Sequence, residues 1–153
     1  MEREHIPSPK NNILLIGVRK IEAEESKFMI ENDAQYIEAR EIRNDFEGSL
    51  ARVKEFLTQG KLAREQSAEK TRVYVSFDID VLDPSIAGAT HYKEQDGISL
   101  SEARALIRTI KSNAEIAAAD IVELNLDFPS QLETTLNSVS EIANELNRRD
   151  SSK

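Results

Sequence analysis

The feature that most constrains the fold is the alternation of short apolar runs with longer amphipathic segments. Apolar runs of strand length occupy residues 13–18 and 117–124, and residues 72–77 are rich in β-branched and aromatic side chains. Continuous apolar runs are typical of strands that are buried on both faces. Helical periodicity separates these strands, so the order predicts βαβ units and an α/β fold with a mostly parallel sheet.

Apolar residues at spacings of three and four predict the intervening helices. The clearest helix covers residues 44–60, with Asn44 as the expected N-cap, Glu47 completing a capping box and Gly60 at the end. The other expected elements are helices over 21–32, 100–110 (capped by Ser99 or Ser101) and 132–146, a short strand over 36–39, and a turn over 127–130.

Composition narrows the class of protein. A length of 153 residues favours a single domain over 1–153, in which residues 1–12 form a proline-bearing arm. The lack of cysteine excludes a disulfide scaffold, a cysteine nucleophile and a thiolate zinc site. A net charge of −8 argues against a nucleic-acid partner. No apolar run is long enough for a membrane span or a signal peptide, which favours a cytoplasmic protein.

An acidic motif follows the strand over 72–77. Residues 76–84 read SFDIDVLDP, so Asp78 and Asp80 lie where parallel sheets place their ligand sites. In extended backbone their side chains would point the same way, and two adjacent carboxylates need a compensating charge. Oxygen ligands favour magnesium, calcium or manganese. The alternative is a pair of acidic caps, but the preceding apolar strand favours metal ligands.

Other charged residues lie at or near the remaining strand ends. Glu123 belongs to an apolar stretch, where a buried glutamate needs a partner, a metal ion or a raised pKa; on an edge strand it would simply face outward. Arg19 follows the first strand and is a candidate salt-bridge partner. Acidic residues then begin the next helix, where they are favourable without any further role.

The two histidines give a weaker signal. His91 lies in the long loop over 78–97, and His5 lies in the arm. A loop histidine can act as a ligand or an acid–base group, but the context of His91 favours an exposed imidazole. Long loops in compact domains are often functional, so the loop itself remains of interest.

The sequence resembles the arginase/agmatinase ureohydrolase family at these residues. The SFDxDxxDP motif of that family matches 76–84, its VExN strand end matches 122–125, and its IGxR segment resembles ILLIGVRKIEAEE. The resemblance runs from about residue 11 to residue 149 and implies part of a three-layer α/β/α fold. It also implies a manganese-dependent hydrolase that releases urea from a guanidino compound.

The resemblance implies a role for each matching carboxylate. Asp78 and Asp80 would be manganese ligands, and Glu123 would hold the substrate guanidinium. Glu22 and Glu25 would meet the α-amino end of the substrate. A manganese pair supplies hydroxide at neutral pH, and a glutamate matches the fork of guanidinium donors.

The main departure from the family pattern is that part of the metal site is missing. The remaining ligands of the family lie in GGDH-type and DAHxD-type motifs, and neither motif occurs here. The chain therefore matches the carboxyl-terminal half only, no catalytic residue is assigned, and we expect it to be incomplete or inactive alone. A homo-oligomer or a complementary amino-terminal half is the expected partner. Tyr92 also replaces the small threonine that is usual in the loop.

Two other interpretations remain open from the sequence. The chain could be a non-catalytic partner subunit or a relic of the fold. Haloacid-dehalogenase-like phosphatases also place DxD after an apolar strand, but they continue with a small residue and threonine or valine, whereas residues 81–84 read VLDP. The substrate is open among arginine, agmatine and other guanidino or formimino compounds.

Overall fold

The computed structural model describes residues 12–62 and 70–148. The predicted arm over 1–12, apart from Asn12, lies outside these residues, as does His5. The elements in chain order are β1 (Leu14–Val18), α1 (Ala23–Glu31), β2 (Gln35–Glu38), α2 (Ala39–Asn44), α3 (Phe46–Leu62), β3 (Thr71–Asp78), a 3₁₀ turn (Ile79–Val81), α4 (Leu100–Asn113), β4 (Ala114–Val122) and α5 (Pro129–Asn147).

The strands form two parallel pairs. β1 pairs with β2, with Leu14 opposite Gln35, and β3 pairs with β4, with Asp78 opposite Val122. The predicted α/β fold with parallel strands is therefore confirmed. Within 12–62 and 70–148, however, the two pairs are separate sheets rather than one continuous sheet, so each strand keeps an edge without a ladder partner.

One apolar core joins the two sheets. α3 packs against α4, α2 packs against β1, and both α4 and α5 pack against β4. Side chains from both halves of the chain are fully buried in this core: Ile37, Ile42, Val53, Ile79, Leu82, Ile98 and Ile142. Burial of apolar surface is the main stabilising term in folding, so the core holds the two strand pairs together without backbone pairing between them.

The helix predicted over 44–60 is observed over Phe46–Leu62, so both its start and its end differ from the prediction. Asn44 is the last residue of α2, and Asp45 rather than Asn44 precedes α3. The Oδ1 atom of Asp45 accepts a hydrogen bond from the Gly48 N–H at 2.9 Å, which satisfies one free amide of the first turn. At the other end, α3 continues past Gly60 to Leu62.

The later helices follow their capping signals. Ser99 caps α4: its Oγ accepts from the Glu102 N–H at 3.2 Å, while the Glu102 carboxylate accepts from the Ser99 N–H at 2.7 Å. Pro129 opens α5 at a first-turn position, where its missing N–H costs nothing. Of the turn predicted over 127–130, Asp127 lies in a turn, whereas residues 129 and 130 already belong to the helix. No helix among the described residues is long and apolar enough to cross a bilayer.

The strands are less buried than their apolar sequences predict. In β3, exposed residues alternate with partly buried ones, and Tyr74 is 63% exposed. In β4, the side chains of residues 117–120 are all exposed. Phe77 of β3 and Ala114 of β4 belong to the core, but successive strand residues point to opposite faces, so this middle part of β4 is uncovered on both faces among the described residues.

Candidate functional site

The acidic pair lies where β3 ends. Asp78 is the last residue of β3, and Asp80 lies in the 3₁₀ turn that follows. The expectation that both residues are extended is therefore wrong. The chain turns because the Asp78 Oδ1 atom accepts a hydrogen bond from the Asp80 N–H at 2.9 Å, while Ile79 between them is fully buried. The turn still keeps the two aspartates beside each other.

The surroundings disfavour charge on both carboxylates. Burial raises the pKa of Asp78 and the charge of Asp80 raises it further, although the hydrogen bond from the Asp80 backbone opposes them. Burial also raises the pKa of Asp80, more than the Arg19 guanidinium lowers it, and the charge of Glu123 contributes in the same direction as burial. Perturbed, mutually interacting carboxylates are typical of functional sites.

Arg19 provides the positive charge beside this pair. Its Nη2 atom lies 3.0 Å from the Asp80 Oδ1 atom and 2.6 Å from the Asp80 carbonyl oxygen. Its Nη1 atom donates to the Glu94 carbonyl oxygen at 3.2 Å. The suggestion that Arg19 forms a salt bridge is therefore confirmed, and its partner is Asp80. This ion pair connects the end of β1 with the turn after β3.

Gly17 allows β1 to approach that turn. Its φ of +86° favours glycine, and a Cβ atom added there would lie 2.2 Å from the Cγ2 atom of Val81. Any larger residue would therefore push β1 away from the turn. Since Arg19 follows Gly17 closely in sequence, this contact also sets the position from which Arg19 reaches Asp80.

Glu123 lies immediately after β4, at the same edge as the acidic pair. Asp78 is opposite Val122 in the parallel register, and the charge of Glu123 is close enough to raise the pKa of Asp80. Glu123 is exposed, so the expectation that it is buried is wrong in this structure. Residues 117–120 of β4 are exposed as well, so the described residues leave much of this strand uncovered. The φ of Glu123, +65°, is unusual for a residue with a side chain.

Glu22 and Glu25 lie at the start of α1. Both are exposed, and the Glu22 N–H donates to the Glu25 Oε2 atom at 2.8 Å. Among the described residues, the ion pair of Glu22 is also local, with Lys20 at 3.6 Å. These contacts are those of a helix start. A role in substrate binding stays a prediction for both residues.

The long loop is tied to the end of β4. His91 Nε2 lies 2.9 Å from the side-chain nitrogen of Asn125, and the His91 ring meets the Phe128 ring edge-on with centroids 6.2 Å apart. The Asn125 N–H donates to the Ala89 carbonyl oxygen at 2.8 Å. His91 is exposed, as its sequence context indicated, but its contact with Asn125 was not predicted. The VELN segment contained the relevant signal, since a polar Asn125 close after Glu123 is available to hold a neighbouring loop.

The carboxylate oxygens of Asp78 and Asp80 are of the type that binds a hard divalent ion, but the described residues offer too few of them. Asp78 and Asp80 offer the oxygen atoms that manganese or magnesium prefers. Across residues 12–62 and 70–148, however, no group of three or more histidine, aspartate or glutamate side chains is arranged to hold a metal. One oxygen of Asp80 is already paired with Arg19. The described residues therefore do not form a metal site by themselves, and the role of Asp78 and Asp80 as metal ligands stays a prediction.

Comparison with known proteins agrees with the motif. The family model described as the arginase family matches residues 2–147. An arginase from Brucella melitensis biotype 1 is 29% identical over 119 residues, which are 78% of this chain and 36% of the Brucella protein. The match favours this family over the haloacid-dehalogenase-like alternative.

Solved structures show the same fold. The crystal structure of an arginase from Bacillus subtilis superposes with a TM-score of 0.73 at 22% identity, covering 93% of this chain and 47% of that one. A formimidoylglutamase from Bacillus subtilis gives a TM-score of 0.70 at 18% identity, covering 90% and 41%. The arginase-like α/β fold is thus confirmed, and the chain spans less than half the length of these relatives.

Proposed function

Since the chain belongs to the arginase family, we propose that it provides the carboxyl-terminal part of a manganese-dependent ureohydrolase. The observation that carries this proposal is the meeting of two strand ends. Asp78 ends β3, Asp80 lies in the turn that follows it, and Glu123 follows the neighbouring β4 at the same edge. Carboxyl ends of parallel strands are where α/β enzymes bind their ligands.

Each carboxylate has a proposed role. Asp78 and Asp80 would hold manganese, and the ion would supply positive charge and activate water once its coordination is complete. Glu123 accepts hydrogen bonds from a guanidinium group, and its exposure leaves its carboxylate accessible to a ligand. Glu22 and Glu25 meet the amino end of an amino-acid substrate. No catalytic residue is assigned to this chain, because its described donors are too few for a full metal site.

The proposed partner is a polypeptide that carries the rest of the arginase length. The chain covers only 36% of the Brucella arginase and 47% of the Bacillus subtilis arginase. Its strands keep edges without ladder partners among the described residues, and such edges readily pair with another chain. Self-association through the same edges is the competing outcome.

The proposed substrate is a small guanidino or formimino compound in the cytoplasm. A glutamate at the strand end matches any linear amidine, since each presents a planar set of N–H donors. The absence of cysteine suits a reducing compartment. Arginine and agmatine are the first compounds to test, because they differ only in the carboxylate that the substrate carries.

Co-expression of the full 153-residue chain with the amino-terminal half of the Bacillus subtilis arginase tests the function. We expect the purified mixture to release urea in the presence of Mn²⁺, and either polypeptide alone to release none. Asp78→Asn and Asp80→Asn should each abolish the activity, because neutral amides do not offset the charge of the ions. Glu133→Gln is the matched control, since Glu133 is an exposed carboxylate of α5.

Two results would count against the proposal. Retained activity in both Asp78→Asn and Asp80→Asn would remove the metal assignment. A tight complex that releases no urea would favour the non-catalytic subunit, an alternative that the pairing of Asp80 with Arg19 also supports.

A further inference from the structure

We propose that His91 is a pH-dependent latch on the end of β4: its neutral imidazole accepts a hydrogen bond from the Asn125 side chain, and protonation of the imidazole breaks this bond. The latch joins the loop that carries His91 to the segment that leaves β4 directly after Glu123. His91 is therefore a positioning residue, which acts on Glu123 through Asn125. The inference goes beyond the proposed function, because the latch requires neither a metal ion nor a substrate.

The hydrogen bonds of Asn125 determine which way its side-chain amide faces. Its Oδ1 atom accepts from the Asp127 backbone N–H at 2.8 Å, an arrangement that is typical of asparagine in turns. The reversed amide would place its nitrogen against that N–H, which would leave two donors without an acceptor. The Nδ2 atom of Asn125 is therefore the one that lies 2.9 Å from the His91 Nε2 atom, and Nε2 is the acceptor.

This contact requires a neutral imidazole with its proton on Nδ1. An imidazolium carries a proton on both ring nitrogens and has no acceptor left. Protonated His91 would direct an N–H group at the two N–H groups of the Asn125 amide, and the amide could turn round only by giving up the Asp127 N–H. Because histidine gains its proton between about pH 8 and pH 5, acidification should break the contact.

His91 lies where its loop leaves the core. Ala89 and Thr90 are buried, whereas His91 is exposed. The Ala89 N–H donates to the Thr135 Oγ1 atom at 3.0 Å, and the Ala89 carbonyl oxygen accepts from the Asn125 backbone N–H at 2.8 Å. These two bonds do not involve the imidazole. Loss of the His91 contact should therefore loosen the end of β4 without unfolding the loop.

The charged groups around His91 belong to three segments. Lys93 of the same loop has its Nζ atom 3.8 Å from the centroid of the Phe128 ring, which the imidazole meets edge-on. Asp127 lies in the turn before α5, and Glu123 follows β4. Within residues 70–148, the imidazole has its side-chain hydrogen bond with Asn125 and with none of these three charged groups. The sign of the pH effect therefore follows from that one hydrogen bond.

NMR spectroscopy of the ¹⁵N-labelled full chain tests the latch. At pH 8 we expect the His91 ring to carry its proton on Nδ1 and none on Nε2, and His5→Gln identifies which ring signals belong to His91. The exchange protection of the Asn125 backbone N–H, corrected for intrinsic rates, should fall about fivefold between pH 8 and pH 5, the factor that corresponds to one hydrogen bond between neutral groups. A proton on Nε2 at pH 8, or protection that does not change with pH, overturns the proposal.

Two variants separate the proton from the contact. His91→Gln offers an acceptor that does not titrate, so the protection of the Asn125 N–H should be the same at pH 5 as at pH 8. Asn125→Asp keeps an oxygen for the Asp127 N–H and presents a second one to the imidazolium, so protection should rise on acidification. A fall as large as that of the parent in either variant overturns the proposal. Circular dichroism reports whether Asn125→Asp is folded; if it is not, His91→Gln decides.

Lys93→Gln is the matched control. It removes a charge from the same loop and leaves the contact between His91 and Asn125, so the protection of the Asn125 N–H should still fall about fivefold on acidification. Protection that is independent of pH in Lys93→Gln would assign the effect to the contact of Lys93 with Phe128 and overturn the proposal. None of these measurements uses urea release, so a failure of the proposed function leaves them unaffected.

Discussion

Asp78 and Asp80 are held close together although their negative charges repel each other. Burial raises the pKa of both carboxylates, and each lies within the field of other acidic groups. The local structure keeps them in place because Asp78 caps the 3₁₀ turn that carries Asp80. The residues that suit a cation site therefore work against stability when no cation is present.

Replacing Asp78 by asparagine should separate the effect of the Asp78 charge from the effect of its hydrogen bond with the Asp80 N–H. Asparagine keeps an acceptor oxygen for the Asp80 N–H and removes one charge. We expect urea unfolding in EDTA at pH 7 to show a gain in stability of less than about 1 kcal/mol, since the group is half-exposed and solvent screens it. Asp78→Ala, which also removes the acceptor, is the control and should not gain. A less stable Asp78→Asn would contradict the argument.

The sequence singled out Asp78 and Asp80 as candidate site residues but did not indicate what they contact. Asp78 and Asp80 were found from the motif at the end of an apolar strand, which is a local pattern. The partner of Asp80 is Arg19, 61 residues away, and that contact depends on how β1 meets the turn after β3. The exposure of Glu123 likewise depends on which face of β4 is covered. Neither property is encoded in a local pattern.

At the scale of elements, a buried carboxylate connects α4 with α5. Glu145 of α5 is 2% exposed and accepts hydrogen bonds at 3.0 Å from Arg104 and from Arg108 of α4. Burial alone would raise the pKa of Glu145, but the hydrogen bond from Arg104 and the charge of Arg108 together lower it. Its negative charge therefore stabilises the packing of the two helices.

Glu145→Gln should weaken this packing and alter the response to acid. Because the pKa of Glu145 is lower in the folded protein, its contribution is present above the unfolded pKa and is lost as the pH falls through the folded value. We expect a cost of about 1.5–3 kcal/mol at pH 7, the range for hydrogen bonds to charged groups. Urea unfolding measured against pH should also show less stability lost in acid than for the parent.

Glu141→Gln provides the comparison for this experiment. Glu141 pairs with Arg104 at 2.7 Å, but its side chain is 47% exposed, so its loss should cost less than about 1 kcal/mol. Equal losses of unfolding free energy in the two variants would show that burial does not strengthen the ion pairs of Glu145.

Two helix starts were located by the sequence, but each had two candidate caps. At the start of α4, Ser99 and Ser101 both suited a cap, and the structure uses Ser99, which forms a capping box with Glu102. At the start of α3, Asn44 and Asp45 both suit a cap, and the structure uses Asp45 because Asn44 ends the short α2. Propensity alone does not choose between adjacent caps. The choice depends on β2 and α2 packing beside the same core.

At the scale of the whole molecule, the core and one ion pair connect two sheets that share no backbone ladder among the described residues. Relatives of known structure extend over more than twice the length that this chain covers. The open face of the β3–β4 sheet and the free strand edges are where additional polypeptide has access to the fold. They lie beside the acidic pair, so completing the sheet would also bring new side chains to the site.

The open face of the β3–β4 sheet therefore provides a test of where additional polypeptide binds to this chain. Tyr74 on β3 is 63% exposed and Tyr92 in the loop is 68% exposed, so the two residues form a matched pair. We expect Tyr74→Lys to weaken association, with a second copy or with the complementary half, by about tenfold or more, as for a tyrosine at an interface centre. Tyr92→Lys should not, because Tyr92 belongs to the loop over 78–97 and not to β3 or β4. Light scattering after size-exclusion chromatography measures both, and equal effects would place the interface elsewhere.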